Sequence, residues 1–187
     1  AGRTVTFSYD PATDDLLTIT RPASPQYPSG VTKTFTYDNA HNLQTITDPK
    51  NQTFVTNRYD AQGRVYEQDL GAGTLRFTYG LNQTTTTDRK GFTTTYTFNA
   101  AGNPTQIEQL TQGLRPSDPA SYITTYAYNA DMQKISETFP RGNGIKYVYD
   151  ETNPNVLARG NLLEVRRKTD MAAIDNDTND IVTRFFE

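Results

Sequence analysis

The stretch "YDAQGRVYEQD" at residues 59–69 contains the pattern that is repeated along the whole chain. It opens on a Tyr-Asp pair, passes through a glycine turn and continues into a second polar and apolar segment. Close variants recur as "YDNAHNLQTITD" from Tyr37, "FNAAGNPTQIEQ" from Phe98 and "YNADMQKISET" from Tyr128. A segment that recurs so often is either a repeated site or a repeated structural unit.

The repeats follow one another about 21 residues apart wherever no insertion separates them. Their anchors are Tyr9-Asp10, Tyr37-Asp38, Tyr59-Asp60, Tyr79-Gly80, Phe98-Asn99, Tyr128-Asn129 and Tyr149-Asp150, with Phe186-Glu187 as a degraded eighth. The longer intervals contain insertions rich in loop-forming residues, after which the strand pattern resumes. The sequence therefore predicts one repeat array over residues 1–187, with about seven to eight repeats and variable loops. The insertions are "RPASPQYPSG" (21–30), "TQGLRPSDPAS" (111–121) and "TDMAAIDNDTND" (169–180).

Each repeat predicts two antiparallel strands joined by a turn. Before the anchor, apolar residues such as Phe7 and Tyr9 alternate with polar ones, which is typical of a strand with one buried face. After the anchor, Gly63 predicts a turn residue with positive φ, and His41 occupies the same place in its own repeat. No segment has convincing helical periodicity, and "LARGNLLEVRRK" (157–168) reads as a turn followed by a strand. The predicted fold class is all-β: antiparallel β-hairpins in one long, twisted and curved sheet.

Composition supports thin sheets and excludes several classes of protein. Hydrophobic residues make up 34% of the chain, too few for a large spherical core, whereas 31 Thr and 12 Tyr favour strands. The net charge of −3 with no basic stripe argues against nucleic-acid binding. No apolar run approaches the ~20 residues of a membrane-spanning helix, and no signal segment opens the chain. The absence of cysteine excludes disulfides, Cys-zinc sites and thiol catalysis.

The anchor acids are the first candidates for a functional site. They are Asp10, Asp38, Asp60 and Asp150. Asn99 and Asn129 take their place in two repeats, and an asparagine can accept the same backbone hydrogen bond without a charge. The substitution favours an Asx-turn in every repeat over repeated ligand binding.

Catalytic motifs are missing from the chain. His41 is the only histidine, and its position in the turn favours a structural role. Spacing alone leaves a Ser-His-Asp arrangement open, but no Gly-x-Ser-x-Gly elbow supports it. No HExxH, P-loop or GxGxxG motif is present. We therefore predict that the protein is not an enzyme, and we assign no catalytic, cofactor-binding or metal-binding residue and no cofactor.

The acidic segment "DNDTND" at residues 175–180 is the one candidate for a calcium loop, because its oxygen ligands alternate. Its candidate ligands are Asp175, Asp177, Asn179 and Asp180. The calcium-loop pattern requires glycine at the sixth position, where Asp180 stands, and glutamate at the twelfth, where Phe186 stands. A solvated acidic loop is favoured, with calcium as the alternative. The neighbouring "RRK" at 166–168 predicts either an exposed strand edge or a charge partner for this loop.

The consensus Tyr-Asp-x-x-Gly-[Asn/Arg]-[Leu/Val] resembles the YD repeat of the Rhs family. This family includes bacterial Rhs and Tc toxin shell proteins, with teneurins as animal relatives. The residues that carry the resemblance are Tyr59, Asp60, Gly63, Arg64 and Val65, then Tyr37, Asp38, Asn42 and Leu43, then Gly102-Asn103 and Gly160-Asn161-Leu162. The resemblance implies hairpins laid side by side in a spiralling sheet that forms a hollow shell, in bacterial toxins around a toxic domain. The Asp-Pro-x-Gly-Leu type motif of the family's self-cleaving core segment is absent.

The leading hypothesis is a non-catalytic segment of a secreted or surface Rhs-type bacterial protein, part of a shell around a toxin or other cargo. Its partners would be the rest of the parent shell and the cargo. "AGRTVTFSYD" begins in mid-pattern, which predicts a piece of a much larger protein. One alternative is adhesion to glycans or proteins through Tyr27 and Tyr122 in the long loops. Another is a homo-oligomeric fibre in which "TRFFE" pairs with "RTVTFSYD" of the next copy.

The threonine-dense stretch "TTTTDRKGFTTTYTF" at 84–98 also suggests ice or glycan binding. An ordinary sheet with two different faces, in which threonine occupies the solvent side, also explains this composition and is favoured.

Overall fold

The computed structural model of the chain describes residues 4–111, 113, 115–155, 157, 159–175 and 178–185. Phe186-Glu187, the predicted eighth anchor, lies outside these residues. The described part of the chain is built from antiparallel strands in one sheet, in which the strand order follows the sequence. No helix occurs in it, so none of these residues forms a helix capable of crossing a membrane. The all-β hairpin array predicted from the repeats is confirmed.

The strands of the described residues, in chain order, are β1 (Thr6–Tyr9), β2 (Leu16–Arg21), β3 (Val31–Tyr37), β4 (Leu43–Thr47), β5 (Thr53–Tyr59), β6 (Val65–Asp69), β7 (Thr74–Gly80), β8 (Gln83–Thr87), β9 (Thr93–Phe98), β10 (Pro104–Leu110), β11 (Ser121–Tyr128), β12 (Lys134–Thr138), β13 (Gly144–Tyr149), β14 (Leu162–Lys168) and β15 (Ile181–Arg184). Strands β1 to β13 with odd numbers end at an anchor, and the next strand completes the hairpin. The three predicted insertions follow β2, β10 and β14, so each lies at the opposite end of its strand from an anchor turn.

The chain divides into two compact units. One comprises residues 1–78 with 86–91, and the other comprises residues 79–85 with 92–187. Each unit consists of antiparallel hairpins of the kind that the repeat predicts.

The anchor turns share one hydrogen-bond pattern. In the third repeat the backbone N–H of Asp60 donates to the carbonyl of Arg64 (2.9 Å), and that of Gly63 donates back to Asp60 (3.0 Å). Gly63 has a φ of 74°, the left-handed conformation of the hairpin loop in which a turn is followed by a bulge. The strand register shifts between Arg58 and Tyr59, where the bulge lies. The same position is left-handed at Asp14, His41, Gly102, Met132 and Gly160 in the other repeats.

Three anchor turns depart from this length, and the first of them, residues 10–15, is one residue longer than the turn at 60–64. Residues 81–82 alone separate β7 from β8, so the fourth repeat has a much shorter turn. Between β13 and β14 the turn expands to residues 150–161, yet Asp150 still donates to Asn161 and Gly160 still donates to Asp150. The sequence analysis identified three insertions and missed this fourth one, because it lies inside an anchor turn.

The two faces of the hairpins differ in chemistry. On the face of the anchor tyrosines, Phe35 lies opposite Ile46, and Ile46 lies opposite Val55. On the other face threonine hydroxyls bond each other across strands, as in Thr36 with Thr45 (2.6 Å). Similar pairs join Thr20 with Thr32, Thr47 with Thr53 and Thr85 with Thr95. The threonine-dense segments therefore belong to a two-faced sheet, as favoured from the sequence.

The prediction of one buried face is wrong. No hydrophobic side chain of the described residues is buried, and Phe7 and Tyr9 remain 51% and 55% exposed. The physical reason is that apolar side chains on these hairpins are covered mainly by neighbours on the same face, which shield them only in part. The buried side chains of the described residues are polar instead: Asn57, Glu164, Arg166 and Lys168.

Candidate functional site

In four repeats the anchor tyrosine bonds its hairpin to the one before it. The hydroxyl of Tyr59, at the end of β5, donates to the carbonyl of Leu43, the first residue of β4 (2.6 Å). Because β4 belongs to the preceding hairpin, this bond lies between repeats rather than within one. The same bond recurs from Tyr37 to Leu16 (3.1 Å), from Tyr128 to Pro104 (2.9 Å) and from Tyr149 to Lys134 (3.1 Å). Sequence analysis placed these tyrosines on one face but did not find their hydroxyl partners.

The anchor acids cap the turns, as predicted. One carboxylate oxygen of Asp60 accepts hydrogen bonds from the backbone N–H groups of Gln62 (3.0 Å) and Arg64 (2.9 Å). The N–H of Arg64 is the main cause that holds the pKa of Asp60 below its ordinary value. Asn99 accepts the same two bonds without a charge. The Asx-turn interpretation is therefore confirmed at Asp10, Asp38, Asp60 and Asn99. Asp150 differs, because its carboxylate accepts from the side-chain amide of Asn153 (2.7 Å).

His41 is the turn residue that the repeat predicts, with a φ of 61°. Its Nδ1 atom also lies 2.8 Å from a carboxylate oxygen of Asp15, in the preceding anchor turn. The hydrogen bond to Asp15 raises the pKa of His41, and His41 in turn lowers the pKa of Asp15. The pair joins the turns of two successive repeats.

A buried amide chain strengthens the third repeat. Asn57 on β5 donates to the carbonyl of Leu43 (2.9 Å) and accepts from Gln68 on β6 (2.9 Å). Leu43 thus receives both the Asn57 amide and the Tyr59 hydroxyl, which joins three adjacent strands. At this buried position the strands are held together by side-chain hydrogen bonds rather than by apolar contacts.

The most buried charges lie on one face of β14 beneath the insertion 169–180. We call Glu164, Arg166, Lys168, Asp175 and Asp180 the β14 charge cluster. The first three alternate along β14 and therefore project from the same face. The other two lie in the insertion, whose backbone is bonded to the turn before β13 through the N–H of Met171 and the carbonyl of Gly142 (2.8 Å).

Ion pairs connect the members of the β14 charge cluster. Arg166 Nε donates to Glu164 (3.0 Å), and this bond lowers the pKa of Glu164. Lys168 Nζ lies 3.3 Å from Asp180 and 3.4 Å from Asp175. Of the two predictions for "RRK", the charge partner of the acidic loop is confirmed. The exposed strand edge is wrong, since Arg166 and Lys168 are buried and β15 pairs with β14. In the sequence, the charges of "EVRRK" alternate with period two, and this pattern could have indicated that they share one face of the strand.

In the acidic segment, Asp175 and Asp180 face basic residues. Lys146 donates to Asp175 (2.7 Å), which is the main cause of the lowered pKa of Asp175. Among the described residues no group of three His, Cys, Asp or Glu side chains is placed to hold a metal ion. Asp177, one of the candidate calcium ligands, lies outside the described residues.

The loop tyrosines proposed for adhesion are both partly exposed. Tyr27 lies in the insertion after β2, where its backbone pairs with Ser24. Tyr122, near the start of β11, donates weakly to Asp118 in the preceding insertion (3.4 Å).

Comparison with known proteins found a family model that matches the repeat and solved structures with a similar fold. A family model for the RHS repeat matches residues 26–53. No curated protein sequence matches the chain. The matched residues include β3, its anchor Tyr37-Asp38 and β4, so the resemblance to Rhs repeats is confirmed.

The fold is similar to that of Tc toxin proteins. A crystal structure of TcdB2-TccC3 without its hypervariable C-terminal region is 19% identical, with a TM-score of 0.66, over 97% of this chain and 10% of that one. TcdB2-TccC3-Cdc42 is also 19% identical, with a TM-score of 0.65, over 97% and 10%. A Photorhabdus luminescens Tc holotoxin pore with a TccC3 substitution is 20% identical, with a TM-score of 0.61, over 88% and 9%. The chain thus has their fold while spanning about a tenth of their length.

Proposed function

We propose that this chain is a non-catalytic wall segment of an Rhs-type shell that encloses or carries a toxin or other cargo. The observation that carries the proposal is the sheet without an apolar core: no hydrophobic side chain of the described residues is buried. Neighbouring hairpins are instead joined by backbone ladders and, in four repeats, by the anchor tyrosine hydroxyl. Such a unit can be extended by adding hairpins, as a wall requires, without enlarging a core.

The proposed location is outside the bacterial cell or at its surface, and the proposed partners are the remaining wall and the cargo. The RHS repeat at residues 26–53 and the fold shared with TcdB2-TccC3 support this placement. The anchor acids are engaged in turns and the β14 charge cluster in ion pairs, which favours a structural over a catalytic role.

Limited proteolysis of the full parent gene product tests whether this chain forms part of an enclosing shell. We expect the segment that the shell encloses to survive digestion. Asn57→Asp should expose that segment, because a carboxylate cannot donate to the Leu43 carbonyl and a buried unpaired group costs about 1–3 kcal/mol. Gln62→Glu makes the same chemical change on an exposed turn and should leave protection intact. Equal digestion of all segments in the unaltered protein would contradict containment.

Edge-to-edge assembly is a second candidate function. It is favoured by the exposure of Phe7 and Tyr9 on β1, which pairs only with β2 among the described residues. An unpaired strand edge is a template for another chain. Light scattering and negative-stain microscopy of the 187-residue chain over a concentration series would show fibres if this candidate is right. Particles whose size does not change with concentration would exclude it.

A further inference from the structure

Two oppositely charged side chains of the β14 charge cluster are removed from water. The side chain of Lys168 is 0% exposed and that of Asp180 is 2% exposed, and the Nζ–Oδ2 distance is 3.3 Å. Lys168 ends β14, and Asp180 directly precedes β15. The two residues therefore stand at the two ends of the insertion 169–180.

Holding these two charges away from water is unfavourable unless their contacts compensate for lost hydration. A reaction between the two groups would begin with proton transfer from the ammonium to the carboxylate, which removes both charges at once. It leaves a neutral amine, which is a nucleophile, beside a neutral carboxylic acid, which is an electrophile. Contact between these two groups is the requirement for amide formation.

Neighbouring groups suit each stage of that reaction. The carbonyl of Ile174 accepts from Lys168 Nζ (2.9 Å), and Asp175 lies 3.4 Å away. A neutral amine retains two N–H donors for these two acceptors, so its lone pair is left for Asp180. Asp175 is 52% exposed, which gives its carboxylate a route for exchanging protons with water.

Arg166 supplies a donor for the charge that develops on the acid. Its Nη1 atom is buried and has no hydrogen-bond partner among the described residues. It lies 3.6 Å from Asp180 Oδ2, slightly beyond hydrogen-bond distance. A donor that is unsatisfied in the ground state and lies near the reacting oxygen can bind a tetrahedral oxyanion more strongly than the starting acid.

We propose that Lys168 and Asp180 condense into an intramolecular amide that covalently closes the insertion 169–180. Lys168 Nζ attacks Asp180 Cγ, and the new N–C bond gives a tetrahedral oxyanion facing Arg166. Asp175 takes a proton from the nitrogen and returns it to the departing hydroxyl. The C–O bond breaks, one water leaves and no electrons are exchanged, so no oxidant or other reactant is required.

The neighbouring pair of Lys146 and Asp175 provides an internal comparison. Its ion pair is shorter, at 2.7 Å, but the two side chains are 33% and 52% exposed. Water stabilises both charges there, so the neutral pair is not favoured. Burial rather than distance distinguishes Lys168 as the reacting lysine.

The intact mass of the denatured 187-residue chain tests the proposal directly. We expect a mass one water below the sequence mass, and a protease fragment in which Lys168 and Asp180 are joined. The full sequence mass after prolonged incubation of the folded chain would overturn the proposal, whatever the variants do.

Three variants identify the reacting groups. Lys168→Met should retain its full mass, whereas the matched Lys146→Met should still lose one water. Asp180→Asn should lose ammonia instead of water and reach the same final mass as the crosslinked parent chain. Loss of the mass difference in Lys146→Met but not in Lys168→Met would overturn the assignment.

The role of Asp175 as proton carrier is tested by the rate at which the chain loses water. Asp175→Asn keeps the shape of the side chain but removes its basic oxygen, and should slow the loss of water by ~10²-fold or more. An unchanged time course would exclude Asp175 from that role.

Discussion

The anchor tyrosine hydroxyl is the smallest group that links one hairpin to the next. In four repeats it donates to the carbonyl that begins the second strand of the preceding hairpin. That carbonyl lies where the bulge interrupts the ladder, so the hydroxyl supplies a bond that the backbone cannot. The conserved geometry between repeats explains why tyrosine rather than phenylalanine occupies most anchors of this chain.

Tyr59→Phe should therefore destabilise the chain with little change of shape. It removes one part-buried hydroxyl donor, worth about 0.5–1.5 kcal/mol, and leaves the Leu43 carbonyl with the Asn57 amide. Chemical denaturation should show a lower midpoint. Tyr66→Phe is the control, since the exposed ring of Tyr66 has no hydrogen bond among the described residues. Equal effects of the two changes would refute the role of the anchor hydroxyl.

His41 should make the first two anchor turns sensitive to pH. Asp15 raises the pKa of His41, so protonated His41 is favoured in the folded chain. Its contribution to stability is complete below the unfolded value of about 6.5 and is lost as the pH rises through the higher folded pKa. His41→Asn keeps a residue that tolerates the left-handed turn.

Measured from pH 6 to 9, the unfolding free energy of the parent chain should fall relative to His41→Asn. A difference that stays constant over this range would contradict the Asp15 contact.

Residue types at the turns were predictable because positive φ leaves few choices. Gly63 and His41 were identified by their place in the repeat, and both are left-handed. The partner of Tyr59 was not predictable, because it depends on strand register at the bulge. The contact between His41 and Asp15 depends on two turns from different repeats, which spacing alone does not bring together.

At the scale of elements, Gly144 allows the insertion 169–180 to lie against β13. A Cβ atom at this position would lie 2.1 Å from the Glu137 carbonyl oxygen and 2.8 Å from the Met171 side chain. Gly144 also pairs with Lys168 across the ladder, on the face of the β14 charge cluster. The close backbone approach rather than a special φ requires glycine here.

Gly144→Ala should therefore cost about 1–3 kcal/mol or more, the range for forced overpacking. It should also increase protease cleavage within the insertion. Gly80→Ala is the matched strand control, because its Cβ would meet nothing nearer than 3.8 Å. If both alanine variants unfold alike, the insertion does not depend on this approach.

The first insertion should be replaceable without loss of the sheet. Arg21 and Val31 are register partners at the end of the β2–β3 ladder, so an Asn-Gly pair can join them in a tight hairpin turn. Shortening a loop changes its closure entropy by only about 1 kcal/mol. Circular dichroism should show the same strand signal, and the unfolding midpoint should change little. Collapse of the strand signal would mean that residues 22–30 help to hold β2 and β3 together.

Repeat spacing predicted the strands and three of the loops, because a turn signal at regular intervals is a local property of the sequence. The expanded turn at residues 150–161 was not predicted, since its closing bonds join residues ten and eleven positions apart. The charges of β14 were assigned to an edge or to the loop. Choosing between them required knowing that β15 pairs with β14, which no local pattern shows.

At the scale of the whole molecule, each strand interacts mainly with its two sequence neighbours. Stability in such an array is approximately a sum of repeat terms and nearest-neighbour terms. The low hydrophobic content predicted a thin sheet, and the structure confirms a sheet. The hydrophobic content did not predict that apolar side chains would stay partly exposed, because burial depends on what covers a face rather than on its alternation.

The missing apolar core has a thermal consequence. The heat capacity of unfolding arises chiefly from apolar surface that becomes hydrated when a protein opens. A sheet whose apolar side chains are already partly hydrated in the folded state should have a heat capacity of unfolding below the ~12–15 cal/mol/K per residue of ordinary globular domains. Its free energy of unfolding would then vary almost linearly with temperature, with little cold destabilisation. Scanning calorimetry would reveal this as a small step in the baseline, and a step of ordinary size would show that more surface is shielded than the structure indicates.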